Sequence, residues 1–192
     1  MHCHRQRIRV KSTWSPINFK KWIDENRHLL KPPVGNQQIW LNREFMVTVV
    51  GGPNARSDYH INEGEEFFYQ VEGNMVLKII DEGNPKDIPI NEGDIYLLPS
   101  KTPHSPQRPA KTVGLVMERR RLPHEIDGFV WFCDKCGTKL YEEFLHVSDL
   151  VKQLPPVFDN FFNKNCRCKK CGHHVTRENA KPLENAKFNV SI

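Results

Sequence analysis

Between residues 45 and 119 the chain is cut into short β-branched or aromatic runs separated by Gly, Pro, Asn and Asp. The runs are Phe45–Val50, Asp58–Ile61, Glu66–Glu72, Met75–Ile80, Lys86–Ile90, Asp94–Leu98 and Thr112–Arg119. None is long enough for a typical globular helix, and strands at this cadence predict an antiparallel sandwich or barrel. Met75, Leu77 and Ile79 alternate with Val76, Lys78 and Ile80, as a strand with one buried face requires, and Glu72-Gly73-Asn74-Met75 reads as a tight turn.

The flanks obey other rules. Residues 1–13 show no periodicity and are expected to be a flexible leader or expression remnant, with His2, Cys3 and His4 carrying no site. From Asn18 to Leu30 the spacing of Phe19, Trp22, Ile23, Leu29 and Leu30 predicts an amphipathic helix, opened by Ser15-Pro16 or Asn18 and stopped by Pro32-Pro33. Beyond Leu122-Pro123 the chain becomes cysteine-rich, with a short helix expected at Ser148–Leu154 before Pro155-Pro156. The organisation is thus a leader at 1–13, a barrel at 14–128 and a metal-organised module at 129–192. No apolar run approaches the roughly 20 residues of a membrane span and no signal segment opens the chain, so a cytoplasmic protein without membrane contact is expected.

The net charge of +5 raises nucleic acid as a partner, and its distribution argues against one. Residues 14–128 carry 14 basic and 16 acidic side chains, and residues 129–192 carry 10 and 7, with no basic stripe interleaved with aromatics.

Two frames in the strand-rich segment carry chemistry. In one, His60 is followed by Glu66, and Glu66 seven positions later by Gly73; in the other, Gly93, Pro99 and His104 follow at intervals of six and five. These frames resemble the paired motifs of the cupin superfamily, which implies a jelly-roll-like β-barrel. Three departures are visible: Asn62 stands where the first motif has a second histidine, Lys101 replaces a glycine and Arg108 an asparagine. What remains, His60, Glu66 and His104, is two imidazoles and one carboxylate, the facial set that leaves positions open on non-haem Fe(II). Arg56 lies four residues before His60 and Arg108 four after His104; in extended segments each would share its neighbour's face and offer a fork to a substrate carboxylate. Glu118 is the one acid closing an apolar strand. It is either a base in the pocket or the strand's exit to solvent, and spacing favours the exit.

The stretches Gly51–His60, Glu63–Gln70, Pro103–Arg108, Thr112–Val116 and Glu118–Arg121 resemble the 3-hydroxyanthranilate 3,4-dioxygenase family over about residues 18–123. The resemblance implies Fe(II) on His60, Glu66 and His104, with Glu66 also bordering the substrate. It implies Arg108 as the main carboxylate partner, Arg56 as an orienting group, Glu118 as a pocket acid that accepts or shares a proton, and Asn36 as a pocket residue on the loop before the barrel. The implied reaction is ring cleavage of 3-hydroxyanthranilate by O2 to 2-amino-3-carboxymuconate semialdehyde, which closes to quinolinate, the precursor of NAD. A homodimer is implied as well. The alternative is a metal-binding cupin with another small-carboxylate chemistry.

Cys133, Cys136, Cys168 and Cys171 form two C-x2-C pairs separated by 31 residues, each followed by Gly (Gly137, Gly172). This spacing predicts a tetrahedral thiolate site for iron or zinc. It resembles the rubredoxin-like C-terminal appendage of bacterial members of the family, where the metal is iron. Four thiolates complete a coordination shell, so the site is read as structural. Cys166 blurs which cysteines of the second pair ligate, and His173 and His174 are minor alternatives.

Overall fold

The computed structural model describes residues 15–31, 35–148 and 150–182. The expected leader at 1–13 and the Pro32-Pro33 stop lie outside the described residues. In chain order the elements are α1 (Phe19–Asn26), β1 (Asn36–Gln38), β2 (Phe45–Gly51), β3 (Asn54–Ala55), β4 (Tyr59–Ile61), β5 (Glu66–Glu72), β6 (Met75–Asp81), β7 (Asn84–Ile90), β8 (Ile95–Leu98), β9 (His104–Arg108), β10 (Val113–Arg119), β11 (Asp127–Phe132), β12 (Lys139–Leu145) and α2 (Leu150–Asn160). One sheet runs β1-β2-β10-β5-β8; the other runs β12-β11-β4-β9-β6-β7, with β3 alongside β9.

The two sheets close on each other through Phe68 and Leu98 of the first and Met75, Leu77, Ile79 and Ile90 of the second. Each such side chain, fully buried, contributes about 1.5–3 kcal/mol. The result is the expected mainly β barrel of two antiparallel sheets, with an N-terminal helix. All seven expected strands form. The additional β1 (Asn-Gln-Gln) and β9 (His-Ser-Pro-Gln-Arg) are polar and carry little strand propensity; pairing with β2, and with β3, β4 and β6, makes them strands.

The side chain of Asn18 accepts the Lys21 amide at 2.9 Å, so α1 opens at Asn18. Its buried Ile23 packs with Leu30, Val49 and Val113. The Arg27 guanidinium reaches both oxygens of Glu72 at 2.7 and 2.9 Å, tying the helix to the end of β5.

In β11 the barrel meets the cysteine-rich segment. The strand pairs with β4 on one edge and β12 on the other, so the expected boundary at 128/129 falls inside it. Its Phe129 and Trp131 share a core with Val147, Val157, Phe161, Cys166 and Val175. The expected helix at Ser148–Leu154 is corrected: α2 runs on through Pro155 and Pro156 to Asn160. Two prolines withhold two backbone donors. Packing offsets the loss, because the turn beyond them places Phe158 edge-on to Trp131 at 5.2 Å and leads into Phe161, stacked on Trp131 at 4.7 Å.

Candidate active site

Cross-strand register assembles the first cluster. His60 of β4 lies opposite His104 of β9, and Glu66 of β5 lies opposite Glu118 of β10. All three expected ligands are buried, with ligand atoms within 4.8 Å of one another. His60 Nδ1 stands 3.8 Å and His104 Nε2 3.4 Å from Glu66 Oε1. An ion bound at about 2.1 Å by nitrogen and oxygen donors sets its ligands about 3–3.5 Å apart, so the cluster needs only slight contraction to hold one.

The far nitrogens explain which atoms face inward. His60 Nε2 lies 2.7 Å from Asp127 Oδ2, and His104 Nδ1 lies 3.0 Å from the Thr102 carbonyl. Both acceptors require N–H there, which leaves the other nitrogen of each ring, Nδ1 of His60 and Nε2 of His104, facing Glu66 and available to a metal. The His60 ring is also stacked on Phe129 of β11 at 5.0 Å.

Behind the ligands runs a buried polar chain. Arg121 grips Asp127 through Nε and Nη2 (3.0 and 2.7 Å) and pairs with Glu118 through Nη1. Asn62, at the position where the cupin motif has histidine, donates to Glu66 Oε1 at 2.9 Å and to Glu118 Oε2 at 3.4 Å. Burial works to raise the pKa of Glu66, but His104, His60 and Arg121 outweigh it and hold the carboxyl down at about 2. Burial and the charge of Glu66 push Glu118 up to about 7, against the pull of Arg121. Two neighbouring carboxyls are thus driven apart, one toward the ligand state and one toward a proton carrier. The register with Glu66 puts Glu118 inside, contrary to the exit favoured by spacing.

The strands that carry this cluster also carry a second level four residues further on. Gln70 follows Glu66 on β5, Arg108 follows His104 on β9, and Gly114 precedes Glu118 on β10 opposite Gln70. Arg108 is 4% exposed, its Nη1 donates to Gln70 Oε1 at 2.8 Å, and its Nε has no partner among the described residues. Burial lowers its pKa to about 10. Arg56 differs: Asp58, fully buried, already neutralises it through a two-point contact. Asn36 is corrected from a loop to β1, where pairing with Val50 makes it part of the sheet; its side chain is exposed.

The cysteines form a second cluster. Cys133, Cys136, Cys168 and Cys171 place their sulfurs within 4.8 Å of one another, with Cys133–Cys171 at 3.6 Å and Cys136–Cys168 at 3.5 Å, separations too long for disulfides. Two equivalent knuckles build it: Gly137 donates to the Cys133 carbonyl and Gly172 to that of Cys168, both glycines with positive φ (69° and 73°). Cys166 belongs to the hydrophobic core and His173 faces Asp134 at 3.0 Å, which leaves the four cysteines as the donor set.

Asp127, Arg121, Asn62 and Gln70 escaped the sequence reading. Asn62 had a signal, its place in a ligand motif; Asp127 and Gln70 depend on contacts between strands distant in the chain, and Arg121, whose partners Glu118 and Asp127 are three and six residues away, carries no local mark.

The profile of the 3-hydroxyanthranilic acid dioxygenase family matches residues 11–162. The chain is 53% identical over 160 residues to the 3-hydroxyanthranilate 3,4-dioxygenase of Xanthomonas campestris pv. campestris, covering 82% of this chain and 90% of that one. To the enzyme of the same name from Burkholderia cenocepacia it is 49% identical over 160 residues, with the same coverage. Among solved structures, a cupin-2 domain protein from Shewanella frigidimarina aligns with TM-score 0.44 and 18% identity over 54% of this chain and 94% of that one. Among the described residues no helix is long and apolar enough to cross a membrane.

Proposed function

The chain belongs to the 3-hydroxyanthranilic acid dioxygenase family, and from that premise we propose how its residues divide the work. The protein is a ring-cleaving dioxygenase that converts 3-hydroxyanthranilate and O2 to 2-amino-3-carboxymuconate semialdehyde. His60, Glu66 and His104 hold Fe(II); the donor set, one carboxylate and two imidazoles with second nitrogens tied back, supports this reading. When bound there, the metal supplies a centre at which the aminophenol and O2 can meet for oxygen insertion.

The chain's own groups do the rest. Arg108, a buried cation that forms no ion pair among the described residues, takes the substrate carboxylate and so fixes the ring's orientation. Glu118, with its proton affinity raised, takes a proton from the hydroxyl of the incoming aminophenol and holds it through ring opening. Arg121 keeps Glu118 pointed inward while fixing Asp127 behind His60. Arg56, already paired with Asp58, orients substrate without supplying net charge. Iron in the Cys133, Cys136, Cys168 and Cys171 site is structural, since four thiolates leave no position for substrate. A cytoplasmic homodimer completes the proposal, with Ile95 and Leu97, two exposed apolar side chains of the edge strand β8, on the surface a second copy would cover.

The observation that carries the assignment is a buried His/Glu/His cluster inside a chain about half identical to named dioxygenases over most of its length. The test is reconstitution. Protein stripped of metal and reloaded anaerobically with Fe(II) should consume oxygen one-to-one with 3-hydroxyanthranilate when air is admitted, with product absorbance decaying as quinolinate forms. A folded, iron-loaded protein that takes up no oxygen would move the function to another cupin chemistry.

A further inference from the structure

Arg108 presents an unusual balance. A guanidinium buried to this extent normally sits against a carboxylate, because an uncompensated buried charge is among the costliest features a fold can carry. Here its hydrogen-bond partner among the described residues is the neutral amide of Gln70, at 2.8 Å, and its Nε has none. The orientation of that amide is fixed from both ends. Arginine only donates, so Oε1 must face it, while Nε2 donates to the Glu72 carbonyl at 3.0 Å. A glutamate has the same length, and at this position would neutralise Arg108.

Gly114 supplies the second observation. A Cβ there would fall 2.5 Å from Arg108 Nη1 and 2.9 Å from Gln70 Oε1. No side chain fits while the two groups remain in contact, so β10 accommodates the pair by having none. Gly114 lies directly opposite Gln70 in the β10–β5 register. Three strands therefore cooperate to seat an arginine against an amide, on the same strands that carry Glu66, His104 and Glu118 one level away.

We propose that Gln70 is a specificity-determining residue: it positions Arg108 without neutralising it, so that the full positive charge is reserved for the carboxylate of the substrate, and Gly114 provides the space. This rests on the reading that Arg108 binds that carboxylate. It makes discrimination between carboxylated and uncarboxylated aminophenols a property of position 70 as much as of Arg108.

The test compares 3-hydroxyanthranilate, as KM, with 2-aminophenol, which lacks the carboxylate, as a competitive Ki, in the iron-loaded enzyme. Gln70→Glu should raise KM for the carboxylated compound about tenfold or more, the scale of a lost charge-assisted hydrogen bond, while moving the Ki of 2-aminophenol less than about threefold. Thermal melting of Gln70→Glu should stay close to that of the parent, because the new ion pair with Arg108 offsets the loss of the donor to the Glu72 carbonyl. Gly114→Ala, which displaces Arg108 without changing any charge, should raise the same KM and spare the same Ki. Anaerobic binding of both compounds to the variants gives a readout independent of turnover. If Gln70→Glu leaves the ratio of the two constants unchanged while Arg108→Met abolishes it, the role of Gln70 is overturned and the carboxylate reading stands. If Arg108→Met also leaves the ratio unchanged, the carboxylate reading falls too. Collapse of the ratio in Gln70→Glu with an unaltered melt is the expected result.

Discussion

The molecule carries two metal-type clusters built on opposite plans, joined by one strand. The cysteine cluster is local and symmetric: two Cys-x-x-Cys-Gly turns, each closed by a glycine amide on the first cysteine's carbonyl, bring four equivalent donors together. The barrel cluster is dispersed and asymmetric: three donors from β4, β5 and β9, oriented by Asp127, the Thr102 carbonyl and Asn62. A set of four thiolates is closed, whereas three mixed donors leave room for reactants. Support differs accordingly. The knuckles support themselves, but the barrel ligands depend on a buried network that includes Arg121 and Glu118. A site that holds shape needs only its turns, while one that does chemistry needs a second layer to aim its ligands.

The strongest way to separate the two is His104→Ala. Removing one of three donors should abolish metal binding in the barrel and cut turnover by about a thousandfold or more, while the metal of the cysteine cluster is retained. Metal analysis and oxygen uptake on the same sample check both halves. Loss of both metals from a folded variant would mean that the clusters are not independent.

Next in size is Asp127→Asn. The ligands remain, but His60 loses the anion that fixes its tautomer and the partner that Arg121 grips twice. Metal affinity in the barrel should fall about 10–100-fold. Mn(II), which prefers nitrogen and oxygen donors to thiolate, reports the barrel site alone, and an electron paramagnetic resonance titration gives the constant. An unchanged affinity would show that the ligands need no second layer, and the contrast with the knuckles would fail.

The same contrast explains what could be read from the sequence. The knuckles are contained within five-residue windows, so spacing alone revealed them. His60, Glu66 and His104 showed because each sits in a motif tied to a strand and its turn. Asp127 and Gln70 did not: each acquires its role from a partner on a strand tens of residues away, and an isolated Asp before an apolar run or a Gln inside a strand carries no local mark; Arg121 has its partners Glu118 and Asp127 three and six residues away, but an arginine on a connection reads as any surface cation. The polar strand β9 and the helix through Pro155-Pro156 were hidden for a related reason, since tertiary pairing and the packing of Phe158 and Phe161 on Trp131 override local preference.

Cys168→Ser probes the join. It should remove the metal of the cysteine cluster and lower the melting temperature by about 5–15 °C, because binding energy at such a site is folding energy. Turnover at a temperature where the variant is folded should stay within about fivefold of the parent, as expected for sites that share no ligand. The strand between them makes this a demanding test: β11 places Asp127 and Phe129 against His60 and Trp131 in the core beneath the knuckles, and Cys133 follows directly. Complete inactivation of a folded Cys168→Ser protein would show that β11 transmits the state of one cluster to the other.

The smallest expected effect concerns Glu118, measured with the barrel cluster kept metal-free by chelation. Burial and the charge of Glu66 raise its carboxyl from 4.5 to about 7 in the folded state, so between those values the folded protein holds a proton that the unfolded chain has released. The unfolded state then binds fewer protons, and stability falls as pH rises through this window; below about 4.5 and above about 7 this group adds no slope. Glu118→Gln removes the titration. The parent should therefore lose about 1–3 kcal/mol relative to the variant between pH 4.5 and 7, read from urea denaturation at each pH. A pH-independent difference would mean that Arg121 keeps Glu118 ionised throughout, as a fixed anion rather than a carrier, and proton transfer would then have to be assigned to another group.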